Sequence, residues 1–251
     1  LTLARLARAA ATTVLAGALA ACTLAPTAAP WVPAAPPPPP PRSAPGGLPD
    51  LQALVQHSAP AVVGIADDRP QVQAGNPGVL GSGFRIAGTP LVATAAHVVA
   101  ALVGPPVVVW QGQRWPARLL RLDETTDLAL LAVGDTAPMP GLVLAAADAV
   151  APGQWVLVLG CPFGTQPTAT VGIVSALPGA VLQPAALRQR LQLNAAVNPG
   201  NSGGPVLGLD GRVIAVANAT VSGGYGLGFA VPVAALQALL DRVAAPGTPQ
   251  R

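Results

Sequence analysis

From residue 61 onward the chain alternates short apolar runs with glycine, proline and polar breaks. The runs span residues 61–66, 79–86, 91–95, 107–110, 114–123, 128–133, 154–159, 169–176, 188–193, 206–209, 213–217 and 226–231. Each has the length of a strand, is rich in Val, Leu and Ile, and is bounded by turn-forming residues. Strand after strand, with almost no helical periodicity between them, predicts an all-β domain built as a sandwich or as a pair of barrels. Apolar residues recur at helical spacing in two longer segments. Residues 51–57 predict a short helix before the strands, and residues 233–243 an amphipathic helix after them.

The first sixty residues have another pattern. Arg5 and Arg8 precede an apolar stretch, 9–21, broken only by Thr12, Thr13 and Gly17. That is the layout of a secretory signal, and it is short for a membrane span. Its end, Leu19-Ala20-Ala21-Cys22, resembles the bacterial lipobox, where cleavage precedes the cysteine and acyl chains are added to it. Lipidation of Cys22 is therefore expected, with several acyl chains giving a firm anchor where one would bind marginally. The plain alternative is an ordinary signal with an incidental cysteine. Residues 23–47 are proline-rich, with an unbroken run from Pro36 to Pro41. Proline fixes φ and lacks an N–H, so this stretch suits neither helix nor sheet and reads as a semi-rigid tether. The expected organisation is a signal over 1–21, a lipidated Cys22 and tether over 22–47, a globular body over 48–245 and a tail over 246–251. It implies export across the bacterial inner membrane, into the periplasm or cell envelope.

Composition narrows the chemistry. Hydrophobic residues make up 51% of the chain, ample for a core, and only 9% are charged. The net charge of +3 is carried by scattered arginines, which gives no nucleic-acid surface. Two His and two well-separated Cys form no cluster with metal-ligand spacing. An acylated Cys22 would leave Cys161 a lone thiol, read as buried at the exit of an apolar run. Imidazole base chemistry can come only from His57 or His97. His57, near the end of the first predicted helix, reads as solvent-facing.

Three segments carry candidate chemistry. Thr94-Ala95-Ala96-His97-Val98-Val99 places an imidazole where an apolar strand gives way to a helix. Asp123-Glu124-Thr125-Thr126-Asp127-Leu128 places Asp127 at the start of another strand, where it could equally cap a turn. Asn198-Pro199-Gly200-Asn201-Ser202-Gly203-Gly204-Pro205 is the most specific. A nucleophilic serine needs its Oγ in a cleft, inward-turned amides for an oxyanion, and an uncrowded exit for the chain. Gly200 permits the first turn, and Gly203 and Gly204 keep the exit free of side chains.

Together these segments resemble the HtrA/Deg family of trypsin-like serine proteases. Gly81-Ser82-Gly83-Phe84, Gly160-Cys161-Pro162-Phe163-Gly164, Gly172-Ile173-Val174-Ser175 and Gly228-Phe229-Ala230-Val231-Pro232 resemble further family segments, so the likeness runs through nearly the whole body. The order His, Asp, Ser is that of the chymotrypsin type. The resemblance implies two six-stranded β-barrels with the active site between them, flanked by short N- and C-terminal helices. It implies His97 as general base, Asp127 as its orienting carboxylate and Ser202 as nucleophile. The amides of Gly200 and Ser202, with Asn201 as a third candidate, would form the oxyanion hole. Neither a metal nor an organic cofactor is implied. The primary pocket would be lined by Ala196, Val197 and Asn198 and by Gly226, Leu227, Gly228 and Phe229. None is charged, which predicts cleavage after small or medium aliphatic residues, because a buried Lys or Arg would find no counter-charge. The implied partners are unfolded polypeptides and the membrane at Cys22, with a trimer as the family's common assembly.

Four departures from the family pattern stand out. No PDZ domain is expected after the body, nor control by one. Asn194 stands where the family shows Asp, Cys161 where Asn or Ser is common, and the segment 67–78 is short. Two other functions fit less well. A non-catalytic HtrA-like holdase would not need all three of His97, Asp127 and Ser202. An esterase with a Gly-x-Ser-x-Gly elbow would need a strand-to-helix turn at Ser202.

Overall fold

The computed structural model describes residues 50–69, 78–134, 137–148, 150–180, 184–220 and 227–244. The expected signal, Cys22, the tether, the tail and Gly226 lie outside the described residues.

The body opens with α1, Leu51–Ser58, capped by Asp50, whose carboxylate accepts from Ala53 N–H at 2.8 Å. Pro60 sits in a short 3₁₀ turn that leads from the helix into the first strand. Six strands make the first barrel: β1 Val62–Asp67, β2 Gly81–Arg85, β3 Leu91–Ala95, β4 Pro106–Trp110, β5 Gln113–Asp123 and β6 Leu128–Val133. The barrel closes in the order β1-β2-β3-β6-β5-β4. Between β3 and β4 stands a single helical turn and a half, α2, Ala96–Ala100. The second barrel takes β7 Trp155–Gly160, β8 Thr168–Ala176, β9 Leu191–Leu193, β10 Pro205–Leu207, β11 Val213–Thr220 and β12 Gly228–Pro232. It closes as β10-β11-β12-β9-β8-β7, and the chain then enters α3, Val233–Ala244. Every pairing between strands in both barrels is antiparallel. This is the expected pair of six-stranded barrels, the chymotrypsin-like fold.

Alternating side chains explain why the strand runs look continuously apolar. In β6, Ala129 and Leu131 point into the lumen of the first barrel, while Leu128 and Leu130 join a cluster drawn from both barrels. That shared cluster includes Phe84 from the first barrel, Leu157, Leu159, Val216 and Val231 from the second, and Leu236 and Leu239 of α3. The second lumen is filled by Val156, Val158, Leu191, Leu193, Ala215 and Ala230. A strand apolar on both faces is thus packed on both faces, each large side chain contributing about 1.5–3 kcal/mol of burial. The connection between the barrels is stitched to each in turn. Leu142 N–H donates to Arg85 O at 2.8 Å, and Ala145 N–H to Val213 O at 2.9 Å.

One predicted strand is shorter than its pattern. Residues 188–193 alternate like a strand, yet only Leu191–Leu193 pairs. A 3₁₀ turn at Ala185–Leu187 captures the earlier amides: Arg188 N–H donates to Ala185 O at 3.1 Å and Arg190 N–H to Leu187 O at 3.0 Å. The closing helix occupies its predicted place, and the opening one extends to Ser58. His57 is half-buried on α1 rather than fully solvent-facing.

Candidate active site between the barrels

Strand pairing brings His97 and Asp127 together. Ala95, the last residue of β3, pairs with Leu128, the first of β6, so the exit of one strand lies beside the entry to the other. Ala96 N–H donates to Asp127 O at 3.2 Å. His97 N–H donates to Asp127 Oδ1 at 2.8 Å, and His97 Nδ1 lies 2.7 Å from Asp127 Oδ2. An ionised carboxylate only accepts, so it places the imidazole proton on Nδ1 and leaves Nε2 with a lone pair. The imidazole is 49% exposed and the carboxylate 19%, so the ring faces solvent while its partner is more enclosed. Burial pushes the Asp127 carboxyl up, but hydrogen bonds from the His97 ring and main chain, with help from Asn218, outweigh it and hold it below the usual range. Asp127 also has φ +58°, a left-handed conformation that Asp tolerates better than most residues. It is not the turn cap. That part falls to Asp123, whose Oδ1 accepts from Thr125 and Thr126 N–H at 3.0 and 3.2 Å.

The second barrel supplies the hydroxyl. Asn201 N–H donates to Asn198 O at 2.9 Å, and Gly204 N–H to Asn201 O at 2.9 Å. Gly203 N–H reaches Ala217 O at 2.7 Å, tying the loop to β11. Gly200 and Gly203 have φ +95° and +86°, where a side chain is strained. Among the described residues, the amides of Gly200 and Ser202 donate to no protein acceptor. Asn201, the third candidate donor, already spends its amide on Asn198. Ser202 Oγ donates to Asn218 O at 2.9 Å and makes no hydrogen bond to His97.

Asn218 is the residue that sequence reasoning missed. Its Nδ2 donates to Asp127 Oδ2, its carbonyl accepts from Ser202, and it is only 6% exposed. It therefore links the carboxylate of one barrel to the hydroxyl of the other. The β11–β12 register shifts between Ala217 and Ala219, so Asn218 is the extra residue of a bulge, a device that re-aims a side chain. Its signal was a lone amide closing the apolar run Val213-Ile214-Ala215-Val216-Ala217. Arg190 is 8% exposed, its Nε without a hydrogen-bond partner among the described residues. Burial pulls its guanidinium below the ordinary value, and the Asp127 charge opposes that.

The family model of the trypsin-like peptidase domain matches residues 81–216, which contain His97, Asp127 and Ser202. The chain belongs to the trypsin-like peptidases. Within them it is similar to a probable periplasmic serine endoprotease DegP-like of Chlamydia pneumoniae, 39% identical over 172 residues, covering 67% of this chain and 35% of that protein. A protein of the same description from Halomonas elongata is 35% identical over 249 residues, covering 81% of this chain and 51% of that one. The chain thus spans about a third to a half of these relatives. Among solved structures it resembles an HtrA-type protease, AlgW, with a decapeptide, at a TM-score of 0.64 and 28% identity, covering 76% of this chain and 66% of that one. It is an HtrA/DegP-like member of the trypsin fold.

In this trypsin-like frame the expected pocket segments meet. A Cβ on Gly228 would lie 2.8 Å from Ala195 O and 2.9 Å from Val197 Cγ2, so β12 runs directly against residues 195–197. Val197 and Phe229 are buried, Leu227 is half-buried, and Ala196 and Asn198 are exposed. Ala196 O accepts from Thr170 Oγ1 at 2.7 Å. Asn194 has a structural use: its Oδ1 accepts from Ile173 N–H at 2.7 Å, extending the β8–β9 ladder with a neutral amide. Cys161 is buried, which pushes its thiol up to about 11 and leaves it protonated at neutral pH.

Proposed function

We propose that the chain is a serine endopeptidase in which Ser202 attacks the scissile carbonyl, His97 shuttles the proton and Asp127 orients His97. The observation that carries this reading is the paired grip of Asp127 on His97, at 2.8 and 2.7 Å, facing a serine whose loop leaves two amides undirected. For attack, Ser202 Oγ must leave the Asn218 carbonyl for His97 Nε2, a change of χ1 between staggered wells. Nε2 then accepts the hydroxyl proton as Oγ bonds to the carbonyl carbon. The oxyanion meets the amides of Gly200 and Ser202, where one donor is worth about 3 kcal/mol in the transition state. His97 passes its proton to the leaving amine, an acyl-enzyme remains, and water releases it by the reverse sequence.

The substrates in this reading are unfolded or damaged envelope polypeptides, cut after small or medium aliphatic residues in the uncharged pocket. The site of action is the periplasmic face, with Cys22 as lipid anchor and a trimer as the assembly. Support comes from relatives described as periplasmic endoproteases. A holdase without catalysis has one observation in its favour, the Ser202 hydroxyl bonded to Asn218 and not to His97.

A fluorophosphonate probe separates the two. Labelling of the purified protein that disappears in Ser202→Ala, with cleavage of unfolded casein, is the expected result. Well-folded protein that neither labels nor cleaves casein overturns the peptidase reading in favour of the holdase.

A further inference from the structure

The nucleophile loop is gripped from across the barrel boundary by a residue that the chemistry above does not use. Ser82 lies in β2 of the first barrel and is fully buried. Its N–H donates to Ser202 O at 2.8 Å. Its hydroxyl donates to Gly200 O at 2.5 Å and accepts from Cys161 N–H at 2.7 Å. Its own carbonyl accepts from Thr94 Oγ1 at 2.6 Å. One residue thus touches the loop on both sides of the nucleophile, the neighbouring loop at Cys161, and the strand that leads to His97. A hydroxyl has a single proton, and here it is committed to Gly200 while a lone pair is committed to Cys161.

We infer that Ser82 is a positioning residue that sets the oxyanion site formed by the Gly200 and Ser202 amides. This role rests on the peptidase reading and on the planarity of peptide groups, each of which turns as one unit. The plane holding Gly200 O and Asn201 N–H is fixed at one end by Ser82 Oγ and at the other by Asn198 O. The plane holding Ser202 O and Gly203 N–H is fixed by Ser82 N–H and by Ala217 O. Between them lies the plane of Asn201 O and Ser202 N–H. Its carbonyl is taken by Gly204 N–H, and the Ser202 amide is left without a protein acceptor among the described residues. Gly200, at φ +95°, offers little resistance to rotation of its own. The hydroxyl of Ser82 is the side-chain latch on that swivel. Through Thr94, three positions before His97, the same residue references the oxyanion donors to the strand that carries the base.

The test compares wild type with Ser82→Ala on two ligands: an aliphatic peptide boronate, which forms a tetrahedral adduct at the serine, and the matching product peptide, which does not. A positioning role predicts that boronate affinity and kcat fall about 100-fold, the scale of one lost oxyanion donor. Product-peptide affinity and KM stay within about two-fold, and thermal unfolding remains one cooperative transition. Ser82→Cys, which keeps a weak donor, falls between. If Ser82→Ala fails to melt cooperatively, Ser82→Cys carries the comparison, with a selective loss of about 10-fold expected for the boronate alone. Equal losses for both ligands would make Ser82 a structural residue and overturn the inference, as would no loss for either. A wild type that binds no boronate and takes no fluorophosphonate fails the peptidase reading itself, which is a different outcome.

Discussion

In the first barrel the imidazole and carboxylate are held by side-chain atoms. Asp127 grips His97 through both carboxylate oxygens, and its own turn is closed by the Asp123 carboxylate. In the second barrel the serine is held almost wholly by backbone. Residues 200–204 bond to Asn198, Ala217 and one another through main-chain groups, and they pass so close to neighbours that their glycines have no room for a Cβ. A Cβ on Gly200 would run into Pro162, one on Gly204 into Leu159 O, and one on Gly203 into Ser82 O and Thr94 Oγ1. The contrast teaches that the two halves fail differently. A side-chain grip can be removed with the fold left standing; a backbone fit cannot.

Gly203→Ala tests the backbone half and carries the largest expected effect. Its Cβ would overlap Ser82 O and lie 2.8 Å from Ala95 N, at φ +86°. Left-handed strain alone costs about 1–2 kcal/mol. With the clash, a loss above about 4 kcal/mol is expected, lowering the melting temperature by roughly 10 °C or more and abolishing activity. Gly112→Ala is the control, with φ +77° but nothing within 4 Å of the added carbon. It should lose only the strain, about 1–2 kcal/mol. Equal melting shifts for the two variants would show that crowding at the loop is idle, and the contrast between barrels would collapse.

Asp127→Asn tests the side-chain half. Activity against a peptide substrate should fall about 10⁴-fold, because an amide favours the wrong imidazole tautomer, while the fold persists. The pH dependence adds a second reading. A carboxyl held below its ordinary value contributes stability that is fully present above the unfolded pKa, near 3.9, and is lost as pH falls through the folded value. The parent should therefore melt somewhat above the variant at neutral pH, and the gap should close as pH drops below about 4. A gap that persists in acid would mean the carboxylate's charge contributes nothing to the fold. A variant that unfolds outright would erase the distinction between the halves.

The legibility of each half in the sequence divides along the same line. Backbone needs leave glycine, and Gly200-Asn201-Ser202-Gly203-Gly204 could be read because each glycine answers a local demand. Most strands were legible because both of their faces are packed, so apolar runs end sharply at turn residues, β5 and β8 with their exposed positions excepted. Residues 188–193 misled because alternation cannot reveal that a 3₁₀ turn takes the first amides. The side-chain grips were harder. Nothing local separates Asp127, which reaches a histidine thirty positions away, from Asp123, which caps its own turn. Ser82 and Asn218 were illegible as site residues, since each is a small polar side chain within a strand and its partner lies in the other barrel, 118 and 91 positions distant.

Asn218 belongs to neither half cleanly, and Asn218→Ala is the finest test of the contrast. Its amide is a side-chain grip on Asp127, whereas its contact with Ser202 is a backbone carbonyl that alanine retains. Removing the amide costs Asp127 one of its donors but leaves both bonds to His97. A hydrogen bond to a charged group is worth about 1.5–3 kcal/mol, and water can replace part of it at a carboxylate that is not fully buried. The expected result is a fall of about 10-fold in kcat/KM with little change in melting temperature. The carboxyl should also titrate higher, since one of the bonds favouring its ionised form is gone, and NMR titration of the Asp127 carboxyl carbon checks it. A loss as large as that of Asp127→Asn would mean that the second barrel orients the carboxylate, and the side-chain grip would then span both barrels. No loss would mean that His97 and Asp127 form a self-sufficient pair, which the second barrel only has to face.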